Sequence, residues 1–231
     1  MPQLSVIIPV YNEEKRIGQT LPVFLNYLNN SGLDFEIIAV NDGSSDRSTE
    51  ILKTFPSIKI IELEKNSGKG AAVRAGMLAA DGDFLLFADA DNSTPIEELK
   101  KLWTYKDNFD IIIGSRHVRG SDVKIKQPLT RRAVSFAGNL LIRLLACSKI
   151  KDTQCGFKLF SKNSAKKLFR LQKINRWGFD IELLYLARKM KFPVKETPVV
   201  WIDSPRNSIK TKDIFLTFIE LIKIRFSKYD L

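Results

Sequence analysis

Two carboxylates one residue apart, Asp89 and Asp91 in "FADADNSTP", close an apolar run with the composition of a buried strand. Like charges brought together at the edge of a sheet repel unless a cation lies between them. An Asp-x-Asp pair there suits a hard divalent cation, Mg²⁺ or Mn²⁺, which takes one or two protein carboxylates and leaves its other positions to water and phosphate oxygens. The alternative is capping: Asp91 or Ser93 can open a helix starting near Pro95, although capping gives Asp89 no task. "VNDGSSD" places Asp42 in a turn after another apolar run. A carboxylate there either accepts from a base or ribose or serves the Asp-Gly turn itself. "NSGKGAA" surrounds Lys69 with glycines, but lacks the spacing Gly-x-x-x-x-Gly-Lys-Ser/Thr, which argues against a P-loop NTPase.

These residues need elements to bring them together. "LSVIIPV" predicts a strand ended by Pro9, followed by a helix from about Lys15 to Asn29. A strand over Phe35–Val40 leads through Asn41–Asp46 to a helix opened by Ser44 or Ser45. "IKIIELE" predicts a third strand, followed by the Gly-rich loop and an Ala-rich helix; "DFLLFADAD" and "FDIIIGSR" predict the fourth and fifth strands. Strands alternating with helices argue for an α/β fold with a doubly wound parallel sheet, in which ligands bind beyond the carboxyl ends of the strands. Asn12, Glu13, Asp42, Lys69, Asp89, Asp91 and Arg116 all fall at those ends, so they should share one crevice. Further on, the pattern predicts an amphipathic basic helix over Leu129–Ala146, a loop and strand in "DTQCGFKLF" and a helix opened near Trp177. An edge strand with two prolines, "FPVKETPVVWID", and a terminal amphipathic basic helix follow.

A chain of 231 residues with 44% hydrophobic content can build one large domain and a peripheral appendage. Two cysteines, Cys147 and Cys155, are too few for a disulfide framework and lack metal-site spacing, which suits a reducing compartment. No apolar stretch is long enough to span a bilayer, and "MPQLSVIIPVYNEE" lacks the flank and cleavage site of a signal peptide, so the expectation is a cytoplasmic protein. Between Arg116 and Lys151, nine Lys or Arg face one acid, so this segment carries +8 of the formal +11. Such a surface is either a solvated face or the site of an anionic partner: nucleic acid, a phosphorylated ligand or lipid headgroups.

"SVIIPVYNE", "VNDGSSD", "NSGKGAAVRAG" and "FADAD", in this order, resemble the nucleotide-sugar-binding half of the inverting family-2 glycosyltransferases, which have the GT-A fold. "IGSR", "IKDTQCGFKLF", "RWGFDIELLYLA" and "VVWID" narrow the resemblance to the dolichyl-phosphate β-glucosyltransferases, over roughly residues 4 to 210. It implies a GT-A domain over 1–210, with a nucleotide-sugar half (1–116) and an acceptor half (117–210), followed by an amphipathic helix over 211–231. It further implies that Pro9, Tyr11, Glu13 and Asp42 hold base and ribose, that Lys69 and Gly70 lie near the nucleotide, and that Asp89 and Asp91 hold the divalent cation at the diphosphate. Asp152 matches the acid often treated as catalytic base, although an ionised phosphate nucleophile needs little base, which leaves orienting or sugar-binding roles open. Arg116, Arg131 and Ser135 match the grip on the lipid phosphate. Arg206, Ser208 and Lys210 follow the family's Ser-Lys ending only loosely.

The implied reaction moves a hexose, glucose from UDP-glucose, onto a polyprenyl phosphate of the dolichyl type at the cytoplasmic membrane face, with peripheral attachment through the basic amphipathic helices. The eukaryotic enzymes carry an N-terminal membrane anchor, and the expectation from "MPQLSVIIPVYNEE" is a chain without one. A GDP-mannose-dependent mannosyltransferase is the alternative, weakened by Ser93, where those enzymes often carry Gln. A nucleic-acid-binding protein is the non-enzymatic alternative; no RNA- or DNA-binding motif supports it, and acidic loops line the crevice. A nucleotidyltransferase would need a Gly-rich N-terminal signature that is absent. His117, the single histidine, is expected at the surface.

Overall fold

The computed structural model describes residues 1–124, 150–202 and 211–231, with side chains from residue 216 onward in the last segment. In chain order the elements are β1 (Leu4–Val10), α1 (Ile17–Asn29), β2 (Phe35–Asn41), α2 (Ser48–Lys53), β3 (Lys59–Glu62), α3 (Lys69–Ala79) and β4 (Phe84–Ala88). A 3-10 turn (Ile96–Glu98) leads into α4 (Leu99–Trp103), β5 (Ile111–Ser115) and β6 (Asp122–Val123). Then come β7 (Phe157–Ser161), α5 (Lys162–Leu171), α6 (Phe179–Lys189), β8 (Val194–Pro198), β9 (Val200–Trp201) and α7 (Thr211–Phe226).

Seven strands form one sheet in the order β3-β2-β1-β4-β7-β5-β8, and β6 pairs with β9 in a second, two-stranded sheet. All pairs in the large sheet are parallel except those of β7, which runs antiparallel to both β4 and β5. Because strand side chains alternate between faces, each inner strand feeds two cores. Ile7, Ile38, Val40, Phe87, Ile113 and Phe160 pack toward α3, α5, α6 and α7, whereas Val6, Ile8, Ala39, Leu86, Ile112 and Leu159 pack toward α1, α2 and α4. The expected α/β layering, mostly parallel with helices on both faces, is what the chain adopts. Leu221 and Ile224 of α7 are buried in the first of these cores.

Several local expectations are corrected. β1 runs through Pro9 to Val10, because Asp42 N donates to the Val10 carbonyl at 2.8 Å, so Val10 bonds toward β2. Pro9, which has no N–H, then faces the β4 side, where pairing has already stopped at Ile7↔Phe87. α2 begins at Ser48 and not at Ser44 or Ser45, whose polar groups bond to Asn12; Asp46 Oδ1 accepts from Ser48 N instead, at 2.9 Å. The proline-bearing segment after Phe192 splits between β8, at the sheet edge, and β9 in the small sheet. β7 enters the sheet from the carboxyl ends of its neighbours. That reversal brings Asp152, Cys155 and Gly156, which precede it, to the edge where the parallel strands end.

The depth of α3 depends on Gly76: a Cβ there would lie 2.5 Å from Cγ2 of Ile7 and 2.9 Å from Cγ2 of Val40. Pressing α3 onto β1 and β2 carries Lys69, its first residue, to the sheet edge. Gly76→Ala should therefore lose about 1–3 kcal/mol in urea denaturation despite its better helix propensity; unchanged stability would contradict this packing.

Candidate active site

The loops at the carboxyl edge are cross-bonded. Asn12, at φ 54°, receives Ser45 N on Oδ1 at 2.9 Å and donates its own N–H to Ser44 Oγ at 3.0 Å. Glu13 N donates to Ser48 Oγ (2.8 Å) and Glu14 N to Asp46 Oδ2 (3.0 Å), which fixes the loop after β1 on the loop after β2. Asp42 is buried, and its two oxygens accept from Ser67 N (2.7 Å) and Gly68 N (2.9 Å), so it clamps the Gly-rich loop that opens α3. Tyr11 stands exposed beside this frame. The Glu13 carboxylate is bonded to Arg16 at 2.5 Å; burial pushes its pKa up, Arg16 opposes this, and the charges of Asp91 and Asp89 add to the rise.

A chain of alternating charges lies beside these loops. Lys69 Nζ is 2.7 Å from Asp89 Oδ1 and 5.2 Å from the ring centroids of both Phe87 and Trp177. Burial opposes the Lys69 charge, but Asp89 and then Asp180 hold its pKa above the usual lysine value. Asp180, in the first turn of α6, pairs with the fully buried Lys158 of β7, whose Nζ also donates to the Cys155 carbonyl at 2.8 Å. Asp91 Oδ1 accepts from Ser93 N at 2.9 Å, and Ile202 N donates to the Ser93 carbonyl at 2.8 Å, tying the end of β9 to this loop.

The Asp89 carboxylate occupies the space a side chain at position 156 would fill: a Cβ on Gly156 would come within 1.9 Å of Oδ2. Oxygen-only donors from two half-buried carboxylates fit a hard divalent cation that takes most of its ligands from elsewhere. Among the described residues, no three His, Cys, Asp or Glu side chains form a metal cluster.

Across the edge, Arg116 and Asp152 form a two-point ion pair, with Nε and Nη2 each 2.8 Å from a carboxylate oxygen and Arg116 N donating at 2.8 Å. The guanidinium also lies over Trp201, 5.3 Å from the ring centroid. Glu196 of β8 holds the segment in place by accepting from Lys151 N, Asp152 N and Ser115 Oγ. Asp152 is 0% exposed. Burial raises its pKa, but Arg116 more than offsets this and brings it down to about 2, while Arg116 is itself raised by Asp152. A carboxylate so enclosed and so acidic suits orienting Arg116 rather than accepting a proton. Cys155 is buried, and burial pushes its thiol up to about 12, which leaves no thiolate for nucleophilic chemistry.

The structure thus gathers Pro9, Tyr11, Glu13, Asp42, Lys69, Gly70, Asp89, Asp91, Arg116 and Asp152 at one sheet edge. Arg131, Ser135, Arg206, Ser208, Lys210 and the helix expected over 129–146 lie outside the described residues. Sequence reasoning missed Lys158, Asp180, Gly156, Trp177 and Glu196. For Lys158 a signal was present: a lysine inside the apolar run "CGFKLF" must find a buried partner.

Comparison with known proteins places this arrangement. The profile of glycosyl transferase family 2 matches residues 5–169. A dolichyl-phosphate beta-glucosyltransferase of Trichomonas vaginalis is 38% identical over 95% of this chain and 70% of its own length. The dolichyl-phosphate beta-glucosyltransferase of Homo sapiens is 33% identical over 87% of this chain and 68% of its own. Among solved structures, glucosyl-3-phosphoglycerate synthase from Mycobacterium tuberculosis, in complex with Mn²⁺, UDP and phosphoglyceric acid, superposes with a TM-score of 0.77 at 17% identity, covering 98% of this chain and 80% of that one. At that identity the likeness establishes the fold.

Asp152→Asn should cost about 3–5 kcal/mol in denaturation experiments, because it strands a largely buried guanidinium. Adding Arg116→Met should recover much of that loss. Since the folded-state pKa of Asp152 lies below its ordinary value of 3.8, the contribution is present above that pH and is lost as the pH falls through about 2. A neutral effect of Asp152→Asn at pH 7 would contradict the pairing.

Proposed function

The chain belongs to glycosyl transferase family 2 and is a glycosyltransferase; from that premise we propose that it moves glucose from UDP-glucose onto a polyprenyl phosphate of the dolichyl type. The observation that carries this reading is that the similarity to dolichyl-phosphate beta-glucosyltransferases runs through both halves of the chain, 95% of it in the Trichomonas vaginalis enzyme, and not through the nucleotide-sugar half alone.

In this reading, Tyr11, Glu13 and the loop clamped by Asp42 frame the base and ribose, and Gly70 and Lys69 lie against the diphosphate. Asp89 and Asp91 are the residues to hold Mg²⁺ or Mn²⁺, which when bound offsets charge developing on the leaving diphosphate. The acceptor phosphate is anionic near neutral pH and attacks without a strong base. Arg116 receives it, fixed in orientation by the Asp152 ion pair and by Trp201, and a guanidinium suits paired phosphate oxygens. Arg131 and Ser135 join this grip on the strength of the sequence resemblance. The acceptor lives in a membrane, and among the described residues no helix is long and apolar enough to cross one.

Attachment then falls to the outer face of α7. Leu221 and Ile224 are buried, while Phe218, Ile222 and Phe226 stand exposed, Phe226 at 78%. Beside them, Lys173, Arg176 and Lys223, together with Phe226 and one acid, Glu220, which accepts from Gly178 N, line a cleft of about 490 Å³. An apolar stripe bordered by cations suits the anionic cytoplasmic leaflet, at about 1 kcal/mol per basic residue near the surface.

Three measurements test the reading. Offered UDP-glucose, GDP-mannose and UDP-GlcNAc with a short polyprenyl phosphate, the protein should transfer glucose; transfer from GDP-mannose alone would overturn the donor assignment. Asp91→Asn and Asp89→Asn should each lower transfer about 100-fold or more, Asp91→Asn with the melting temperature little changed, and near wild-type turnover of either in saturating Mn²⁺ would remove the carboxylates from the metal role. Binding to anionic liposomes should weaken with salt and be lost when Phe218, Ile222 and Phe226 are replaced by Ser; equal sedimentation of both proteins would place the membrane face elsewhere.

A further inference from the structure

Lys69 is more than a cation near a phosphate site. Its ammonium bonds directly to Asp89, one of the two carboxylates assigned above to the divalent cation, at 2.7 Å. It is held there on several sides. The Phe87 and Trp177 rings flank it, its side chain is only 20% exposed, and its residue opens α3, whose depth on the sheet is set by Gly76. Asp180 and Asp91 also act on its charge, but Asp180 already pairs with Lys158, and the direct ion pair of Lys69 is with Asp89. Moving the ammonium into water would strip it of two aromatic faces and an ion pair.

A bare divalent cation arriving at Asp89 therefore meets a fixed like charge and must share that carboxylate with it. A nucleoside diphosphate changes the balance: its oxygens give Lys69 a new anionic partner and supply the remaining ligands of the cation. We infer that Lys69 is an internal counter-cation which makes metal occupancy conditional on the nucleotide, so that metal and diphosphate load and leave as a unit. By linkage, the same coupling means that the metal strengthens diphosphate binding by the factor by which the diphosphate strengthens metal binding. The inference rests on the metal and UDP roles proposed above, and it adds a residue whose charge opposes the metal alone and favours the pair.

The test is Mn²⁺ binding, followed by electron paramagnetic resonance or calorimetry with and without UDP, for the wild-type protein, Lys69→Met and Lys69→Arg. Wild type should bind Mn²⁺ weakly alone and about 100-fold more tightly with UDP. Lys69→Met should bind free Mn²⁺ about tenfold more tightly than wild type, because the opposing charge is gone, and its gain from UDP should shrink by a similar factor. Lys69→Arg, which keeps the charge, should follow the wild type. Should Lys69→Met not fold, as judged by its melting transition, Lys69→Gln takes its place with the same expectation. Free Mn²⁺ bound no more tightly by the neutral variants than by wild type, or equally tightly by Lys69→Arg and Lys69→Met, overturns the counter-cation role while leaving the metal site intact. Failure of the wild type to take up Mn²⁺ even with UDP overturns the metal reading and this inference together.

Discussion

Three carboxylates at the active edge of the sheet are each matched by a cation supplied from a different element. Lys69 of α3 answers Asp89 beyond β4, Lys158 of β7 answers Asp180 of α6, and Arg116 beyond β5 answers Asp152 before β7. Taking such charges out of water is costly, and removing one partner of a buried pair costs several kcal/mol. The pairs therefore work as cross-links between segments distant in sequence. They fix α3 against β4, β7 against α6, and the end of β5 against the segment entering β7.

The antiparallel β7 makes this possible. A wholly parallel sheet would bring only strand ends to the edge, whereas β7 begins there. Its approach delivers Asp152 to Arg116 and sets Gly156 beneath the Asp89 carboxylate, where any side chain would collide. The strand therefore joins the two halves of the site. The half before Arg116 carries the loops clamped by Asp42 and Asn12, and the half after it carries the ion pair that orients Arg116 and the α6 terminus that contributes Asp180.

Much of this was legible in the sequence, for identifiable reasons. Five apolar runs, each ended by polar residues, fix where strands stop, and residues at those stops share an edge in any parallel sheet; that is why Asp42, Asp89 and Arg116 could be grouped without coordinates. The direction of β7 was not legible, because a short run of buried residues carries no signal of which strands it will pair with or in which sense. Nor was the pairing of Lys158 with Asp180, since 22 residues and a whole helix separate them and only the fold brings them together. The start of α2 was misplaced because Ser44 and Ser45 have the chemistry of helix caps but bond instead to Asn12, in a neighbouring loop that local pattern cannot see. The Asp152 setting was hidden for a similar reason: its acidity comes from Arg116, 36 residues earlier in the chain.

The central claim is that the carboxyl edge is a charge-balanced seat for a divalent cation and a nucleoside diphosphate, with Lys69 sharing Asp89 until the diphosphate arrives. The most direct measurement is anomalous diffraction at the manganese edge from crystals grown with Mn²⁺ and UDP. The account predicts one strong peak in contact with Asp89 or Asp91 and with the diphosphate, and Lys69 Nζ bonded to a phosphate oxygen. A manganese peak away from both carboxylates, or a diphosphate bound with Lys69 still paired to Asp89 and no metal beside it, would contradict it.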